Sequence, residues 1–458
     1  MRTQSDKALG LVARFGGEHD GVFTPSGISI AEIAEQIGTP FYLYDGGLVD
    51  ERARAVVEAL DTEVFYSVKA NPSLAIGQIL ARVPGLGAEV ASAGELAVAQ
   101  AAGFEPSSIL FAGPGKTDEE LERLVAAGIL ADNVESLAEI DRLAAVASRA
   151  GKRAGVGLRL NPAAQLLGAQ MRMGGTASQF GIGEEDLAAA ATRVLGHPEL
   201  ELRGIHVYTA TQVFDPAPLL EHCRSVFELA LRTVDVAGGP LAFIDFGGGF
   251  GIPYFDKLDE FDLDTFAAGF RDLHASYRSD PRLAGTRVLF ELGRYLVADA
   301  GIYVTRVVDA KETRGTSFVI TDGGMNHHLT ATGNMGQVFR KPFPLANLLR
   351  LNGAPSKVTV TGPLCTPLDV FGTDIELGEP RIGDLVGVFY SGAYGYSASN
   401  LGFLSHAAPA EVLLLHGAIH VLRPKGDEDD VLRGQSGLSG LSAPAGRAEP
   451  DAATTPVG

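Results

Sequence analysis

Lys69 closes a short apolar run, Glu63 to Val68, that Asn71-Pro72 then breaks. A lysine at the end of a buried strand is costly unless it is paired, neutral or chemically used. Taken alone, it reads more simply as a side chain that reaches solvent. Three other stretches change that balance. In Asp245-Phe246-Gly247-Gly248-Gly249-Phe250-Gly251, consecutive glycines let backbone N–H groups close around an anion with no Cβ in the way. Glu291-Leu292-Gly293-Arg294 offers an acid and a guanidinium suited to a phosphate. His206-Val207-Tyr208-Thr209-Ala210-Thr211 offers an imidazole, a flat phenol ring and hydroxyls. Each has a plain alternative: a flexible turn, an acid–arginine salt bridge, a core histidine. Together they supply a lysine, a phosphate cradle, a central acid and an aromatic plate. Pyridoxal phosphate needs all four, because it bonds covalently to lysine, carries a phosphate and works best with its ring nitrogen protonated against a carboxylate.

The surrounding pattern says how such groups could meet. Gly38-Thr39-Pro40 introduces a strand-like run, 41–45, and a helical stretch over 48–60 follows. Apolar strand candidates then recur at 63–68, 87–91, 108–112, 128–132, 155–160, 203–207, 242–246 and 287–291. Helical segments such as 94–102, 118–127 and 136–150 lie between most of them. Eight strands alternating with helices are the pattern of a (β/α)8 barrel of roughly 250 residues, whose functional face lies at the C-terminal ends of its strands. Lys69, His206, the triple glycine and Glu291 all fall at such ends. An open doubly wound sheet would favour a Gly-x-Gly-x-x-Gly turn after an early strand, and none occurs there.

After about residue 296 short β-rich runs take over, at 304–310, 317–321, 358–361, 385–390 and 411–415, which suggests an antiparallel β domain. The expected organisation is an N-terminal segment, 1–39, packed on the β domain; a barrel over 40–295; the β domain over 296–424; and a disordered tail over 425–458, rich in Gly, Ser, Ala and Pro. The 458 residues carry 37 basic and 56 acidic side chains, a net charge of −19, which argues against nucleic acid or an anionic membrane as partner. Two cysteines, Cys223 and Cys365, make no disulfide framework, and no metal-ligand spacing is present. With neither a signal-peptide pattern nor a long apolar span, a cytoplasmic enzyme is expected.

Read in order, Tyr-Ser-Val-Lys69-Ala-Asn, Arg159-Leu-Asn161-Pro, Ser178-Gln-Phe-Gly181-Ile, Asp245-Phe-Gly-Gly-Gly, Glu291-Leu-Gly-Arg294, Gly362-Pro-Leu-Cys365 and Gly392-Ala-Tyr394-Gly resemble the fold-type III pyridoxal phosphate enzymes of the ornithine and diaminopimelate decarboxylase family. The resemblance covers roughly 38–415. It implies an α/β fold, an alanine racemase-like (β/α)8 barrel plus a C-terminal antiparallel β domain. It also implies a PLP-dependent carboxy-lyase with Lys69 as Schiff-base lysine and Glu291 paired with the pyridinium. Gly247, Gly248, Gly249, Arg294, Thr211 and Tyr394 are expected around the phosphate, and Arg159, His206 and Tyr208 around the rest of the cofactor. Cys365 and Tyr394 are expected from the β domain of a second subunit, so that a homodimer shares its active sites. Cys365 would be the acid that protonates Cα after CO2 leaves.

Departures from the family bear on substrate. Tyr208 stands where the ring-stacking residue is usually histidine. Thr366 follows Cys365, where enzymes acting on basic substrates carry an acid. The turn Asp322-Gly-Gly-Met-Asn-His327-His328-Leu-Thr330 lacks the nearby arginine that receives the distal carboxylate of diaminopimelate. This variant pattern resembles the branch of antibiotic, siderophore and exopolysaccharide pathways that acts on derivatised or carrier-tethered amino acids. Thr366, Asp369, His327, His328 and Arg340 are the candidates for contacting the substrate's distal end. The alternatives are decarboxylation of free meso-diaminopimelate, racemisation, and a non-catalytic PLP-binding or regulatory homologue. The complete set of Lys69, Cys365 and glycines weighs against the last.

Overall fold

The computed structural model describes residues 5–163, 171–172, 178–255, 258–334 and 341–437. After a two-residue hairpin, Glu18–His19 with Val22–Phe23, strand β1 (Phe41–Asp45) is buried throughout and leads into a helix, Gly46–Leu60. Eight parallel strands follow: β2 (Glu63–Ser67), β3 (Leu86–Val90), β4 (Ile109–Ala112), β5 (Ala131–Val134), β6 (Ala154–Asn161), β7 (Leu200–His206), β8 (Phe243–Asp245) and β9 (Arg287–Leu292). Each pairs with the next, and β9 closes the ring on β2 through Leu289–Glu63 and Leu292–Tyr66. The barrel centre is packed by Phe65, Leu110, Leu130, Ala131, Phe243 and Leu289. Those rings fit because Gly87 and Gly204 leave room: a Cβ there would lie 2.8 Å and 2.7 Å from the Phe65 and Phe243 rings.

The connecting helices start and stop where local chemistry directs. The helix Asp118–Ala127 opens with a reciprocal Thr117–Glu120 capping box and ends at Gly128, φ +66°. The helix Leu137–Ala150 is capped by Ser136 and ends at Gly151. Strand β5 lies three residues later than expected. The apolar pair Ile129-Leu130 belongs to the turn, and the strand itself carries buried Asp132 and Asn133. Periodicity overlooks such a strand because its acid is matched from outside it: Lys116 Nζ reaches Asp132 at 2.6 Å and donates to the Asn133 backbone carbonyl at 2.9 Å.

The second domain is a twisted sheet of β10 (Gly301–Thr313), β11 (Thr316–Thr321), β12 (Leu345–Asn347), β13 (Pro355–Thr361), β14 (Val370–Gly378), β15 (Leu385–Val388), β16 (Ala410–Leu415) and β17 (Ala418–Arg423). Its pairs are mainly antiparallel, but β11–β13 and β1–β16 are parallel. The run 41–45, expected at the head of the barrel segment, is instead a central strand here, between β10 and β16. A short strand buried on both faces reads the same in either setting. The N-terminal segment lies on this sheet: Phe15 and Phe23 pack edge-on against Phe389, and Phe23 N donates to Leu348 O at 2.8 Å. The expected disordered tail begins in ordered form. Lys425 Nζ donates to Thr39 O at 2.5 Å and a turn spans Glu428–Leu432, while 438–458 lie outside the described residues. Among the described residues no helix is long and apolar enough to cross a membrane.

Candidate active site

A cavity of about 380 Å³ opens at the C-terminal ends of the barrel strands. It is lined by Lys69, Glu89, Arg159, His206, Tyr208, Thr211, Gly249, Glu291, Arg294 and Tyr394, among others. The motif residues spread over more than 300 positions of sequence therefore do converge.

Lys69 sits on the single turn Val68–Ala70 that follows β2. Its ammonium meets both oxygens of Glu89, at 2.8 and 2.7 Å, from the end of β3. Enclosure by the cavity walls would depress the lysine's pKa, but the Glu89 carboxylate outweighs it and raises the value. Glu89 was not singled out in the sequence, although an acid inside the apolar run 86–90 carries the same burial argument as Lys69.

Arg294, just past β9, is a half-buried cation with no carboxylate partner among the described residues. Its Nη1 donates to Tyr254 Oη at 3.0 Å, its Nε is buried without a partner, and its guanidinium lies over the Tyr394 and Tyr254 rings at 4.5 and 5.5 Å. A partly enclosed cation held by one phenol oxygen and two ring faces, with no carboxylate against it, is a place for an anion. The glycine turn after β8 comes in beside it. A Cβ on Gly248 would sit 1.9 Å from Glu291 O, and one on Gly249, at φ +107°, 2.4 Å from Ala210 O. Only glycine lets this turn close on its neighbouring strands, leaving Gly249 and Thr211 on the cavity wall.

Glu291 on β9 and His206 at the end of β7 meet over the end of β8, with Nε2 and Oε2 3.2 Å apart. Burial alone would push the Glu291 carboxyl up; the His206 ring, a hydrogen bond with Asp245 and the Lys69 charge hold it down, at about 2. An anionic acid with an unpartnered Oε1 is therefore available on the cavity wall. Tyr208 lies against the turn, its Cδ2 2.7 Å from where a Gly247 Cβ would be. Arg159 pairs with Glu135 at 2.6 Å and covers the Phe180 ring at 5.0 Å. Glu135 also accepts from Gly113 N and Gly181 N, tying three loops together at the rim.

Several expected residues lie elsewhere. Tyr394 lines the cavity of its own chain rather than arriving from a second subunit. Its N–H donates to Ala70 O at 2.8 Å, and Asn71 Nδ2 donates to Gly392 O at 2.9 Å, so the β domain docks directly on the lysine turn. Cys365 is exposed on the loop between β13 and β14 and lines no part of this cavity. His327 is buried between Tyr303 Oη and Ala407 O; His328 is buried with Nε2 2.8 Å from Ser391 Oγ. Both rings are thus consumed inside the β domain and offer nothing to a substrate. Asp369 accepts from Met325 N at 2.6 Å and Leu364 N at 2.8 Å, which makes it the staple of the Cys365 loop. Thr366 accepts from Leu368 N within that loop. Arg340 lies outside the described residues. Thr330, noted in the sequence only as a missing arginine, does line the cavity.

The residues fit pyridoxal phosphate. An amine, a guanidinium with no carboxylate against it beside a glycine turn and an anionic acid share one chamber.

Comparison with known proteins agrees. The pyridoxal-binding domain of the pyridoxal-dependent decarboxylases matches residues 47–298. The L-glutamyl-[BtrI acyl-carrier protein] decarboxylase of Niallia circulans is 38% identical, over 89% of this chain and 96% of its own length. The diaminopimelate decarboxylase of Zymomonas mobilis is 31% identical, over 92% and 98%. The crystal structure of diaminopimelate decarboxylase from M. jannaschi superposes with a TM-score of 0.86 at 28% identity, covering 94% of this chain and 99% of that one. The chain thus belongs to the pyridoxal-dependent decarboxylase family and is a PLP-dependent carboxy-lyase of the diaminopimelate decarboxylase-like kind.

Proposed function

We propose that this enzyme removes the α-carboxylate of an amino acid whose distal end is derivatised, with a carrier-bound L-glutamyl thioester as the first candidate. One observation carries the reading. The described cations on the cavity wall are Lys69, Arg159 and Arg294. Lys69 faces Glu89, Arg159 is neutralised by Glu135, and Arg294 belongs to the anion cradle. None is left for a second substrate carboxylate, and Thr330 stands beside Tyr394 instead, donating to its carbonyl at 2.8 Å. An uncharged distal group suits such a wall. The 38% identity to the glutamyl-carrier enzyme, against 31% to a diaminopimelate enzyme, supports the same reading.

When bound, pyridoxal phosphate supplies the electron sink that accepts the pair left at Cα as CO2 departs. Lys69 is the amine that tethers it. Arg294, Tyr394, Thr211 and the backbone of Gly247–Gly249 hold its phosphate, and Tyr208 presents a flat face to the ring. Glu291, kept anionic by His206, holds the ring nitrogen's proton. Glu89 would balance the Lys69 ammonium when the amine is free of the cofactor.

Cys365, the acid that the family resemblance implies for protonating Cα, stands outside the chamber of a single chain, which is lined by Lys69, His206, Tyr208 and Tyr394. Cys365 fills that role in our reading once a second copy covers the exposed face around it. That face also shows Leu368 (45% exposed), Phe403 (41%) and Leu404 (50%). Leu404 and Ser405 hold φ of +55° and +57°, a strained backbone of the kind kept at functional sites. In this reading the enzyme is a homodimer with shared sites that works in the cytoplasm on a small-molecule or carrier-protein substrate.

The test is CO2 release from diaminopimelate, lysine, ornithine, arginine and a glutamyl-carrier thioester with one enzyme preparation. Turnover confined to the thioester supports the proposal; efficient turnover of free diaminopimelate overturns the substrate assignment. Mixing Lys69→Ala with Cys365→Ala subunits tests the assembly: restored activity is expected, and no restoration removes the shared site.

A further inference from the structure

Asp245 ends β8 immediately before the glycine turn and is fully buried. It does not line the cavity, yet it contacts the acid that does: Asp245, Glu291 and His206 each place a polar atom within 4.8 Å of the others. One Asp245 oxygen accepts from Gly247 N at 2.8 Å. The other, Oδ2, has no N–H or hydroxyl donor, and neither has Glu291 Oε1. No lysine or arginine forms an ion pair with Asp245 among the described residues. Two buried carboxyls in mutual contact do not both ionise, because like charges at low dielectric repel strongly.

The proton has an evident home. Glu291 has the His206 ring at 3.2 Å and the Lys69 ammonium to favour its anion. Asp245 has one backbone amide, with the Glu291 and Glu89 charges opposing ionisation.

We propose that Asp245 is a positioning residue that stays a neutral acid, donates its proton in a hydrogen bond to Glu291, and so fixes that carboxylate in register with the glycine turn. One short side chain thereby couples the two ends of the cofactor site: its acceptor oxygen holds Gly247, and its donor holds the acid facing the ring. Burial and the facing carboxylate, which hold Asp245 well above the usual carboxylate range, are consistent with this. The catalytic meaning rests on Glu291 serving the ring nitrogen, but the proton can be observed with no substrate present.

The experiment compares wild type, Asp245→Asn and Asp245→Ala by infrared difference spectroscopy at neutral pH, in apo and cofactor-loaded protein. A neutral carboxylic acid band is expected in wild type and absent from Asp245→Asn. The other acids that burial draws upward, among them Asp132 at about 7 and Asp369, are common to both proteins and cancel in the difference. Asparagine keeps a donor for Glu291 and an acceptor for Gly247. The pH dependence of the bound cofactor's visible absorption is therefore expected to match wild type in Asp245→Asn, and its acid-side transition to move to higher pH in Asp245→Ala. No band lost in Asp245→Asn, or an equal pH shift in both variants, overturns the proposal. If Asp245→Ala does not fold, the infrared comparison with Asp245→Asn decides alone. Failure of the substrate assignment would leave all of these readouts unchanged.

Discussion

Replacing Arg294 with methionine should weaken the cofactor through its phosphate and through little else. Methionine keeps much of the side-chain volume and removes the guanidinium. Because Arg294 has no carboxylate partner among the described residues, the change strands no buried anion. The folded protein loses only the Tyr254 hydrogen bond and two ring contacts, each ring worth about 0.5–1 kcal/mol. Truncating one member of a buried, hydrogen-bonded charge pair costs about 2–5 kcal/mol of binding. Taking 2–4 kcal/mol for a phosphate still held by the glycine turn gives an affinity roughly 30- to 900-fold weaker. Titrating apoenzyme with pyridoxal phosphate, followed by visible absorption, measures the loss. The same titration with pyridoxal, which lacks the phosphate, is the control and should move little. Equal weakening for both ligands would mean that Arg294 shapes the chamber rather than binding the anion, and an unchanged affinity for pyridoxal phosphate would falsify the cradle altogether.

Glu89→Gln removes the charge that raises the Lys69 pKa. More amine is then neutral at a given pH, so the pH midpoint for cofactor capture by apoenzyme should fall; an unmoved midpoint contradicts the Lys69–Glu89 assignment. Asp369→Ala leaves the Met325 and Leu364 amides without their acceptor, at about 1–3 kcal/mol each. Thermal denaturation should show a lower Tm, while the cofactor band of the folded protein stays as in wild type. His328 and His327 are buried neutral, with burial depressing their pKa from 6.5 to about 3 and about 4. The unfolded chain binds these protons first, so their stability contribution is complete above about pH 6.5 and is lost as pH falls towards the folded values, by about 1.4 kcal/mol per pH unit per site. Denaturant midpoints measured from pH 7.5 to 5 should fall less steeply in His328→Gln than in wild type. A parallel fall would mean His328 is not held neutral.

The barrel was legible because its strands are short apolar runs separated by capped helices of ordinary length. The exception, β5, shows the limit of periodicity: Asp132 is a buried acid whose lysine partner lies outside its own segment. Strand β1 shows another limit, since a doubly buried strand carries no mark of which sheet it joins. At the site, Lys69, the glycine turn, Glu291 and Arg294 could be read from residue type and position at strand ends. Glu89, Glu135, Tyr254 and Asp245 hold those groups in place, and their roles exist only as contacts across strands. The His327-His328 pair misled for the reverse reason. Two adjacent imidazoles look like chemistry, but Tyr303, Ala407 and Ser391 had already claimed them. Tyr394 was assigned to the wrong subunit because sequence cannot tell that the loop carrying it folds back onto Ala70 of its own chain.

The most direct check on the site is covalent mapping of the cofactor. Holoenzyme is reduced with borohydride, digested, and its peptides are weighed. The account predicts a single phosphopyridoxyl label, on the peptide containing Lys69 and absent from Lys69→Ala. A label on the buried Lys116, which here is locked between Asp132 and Glu139, would contradict it.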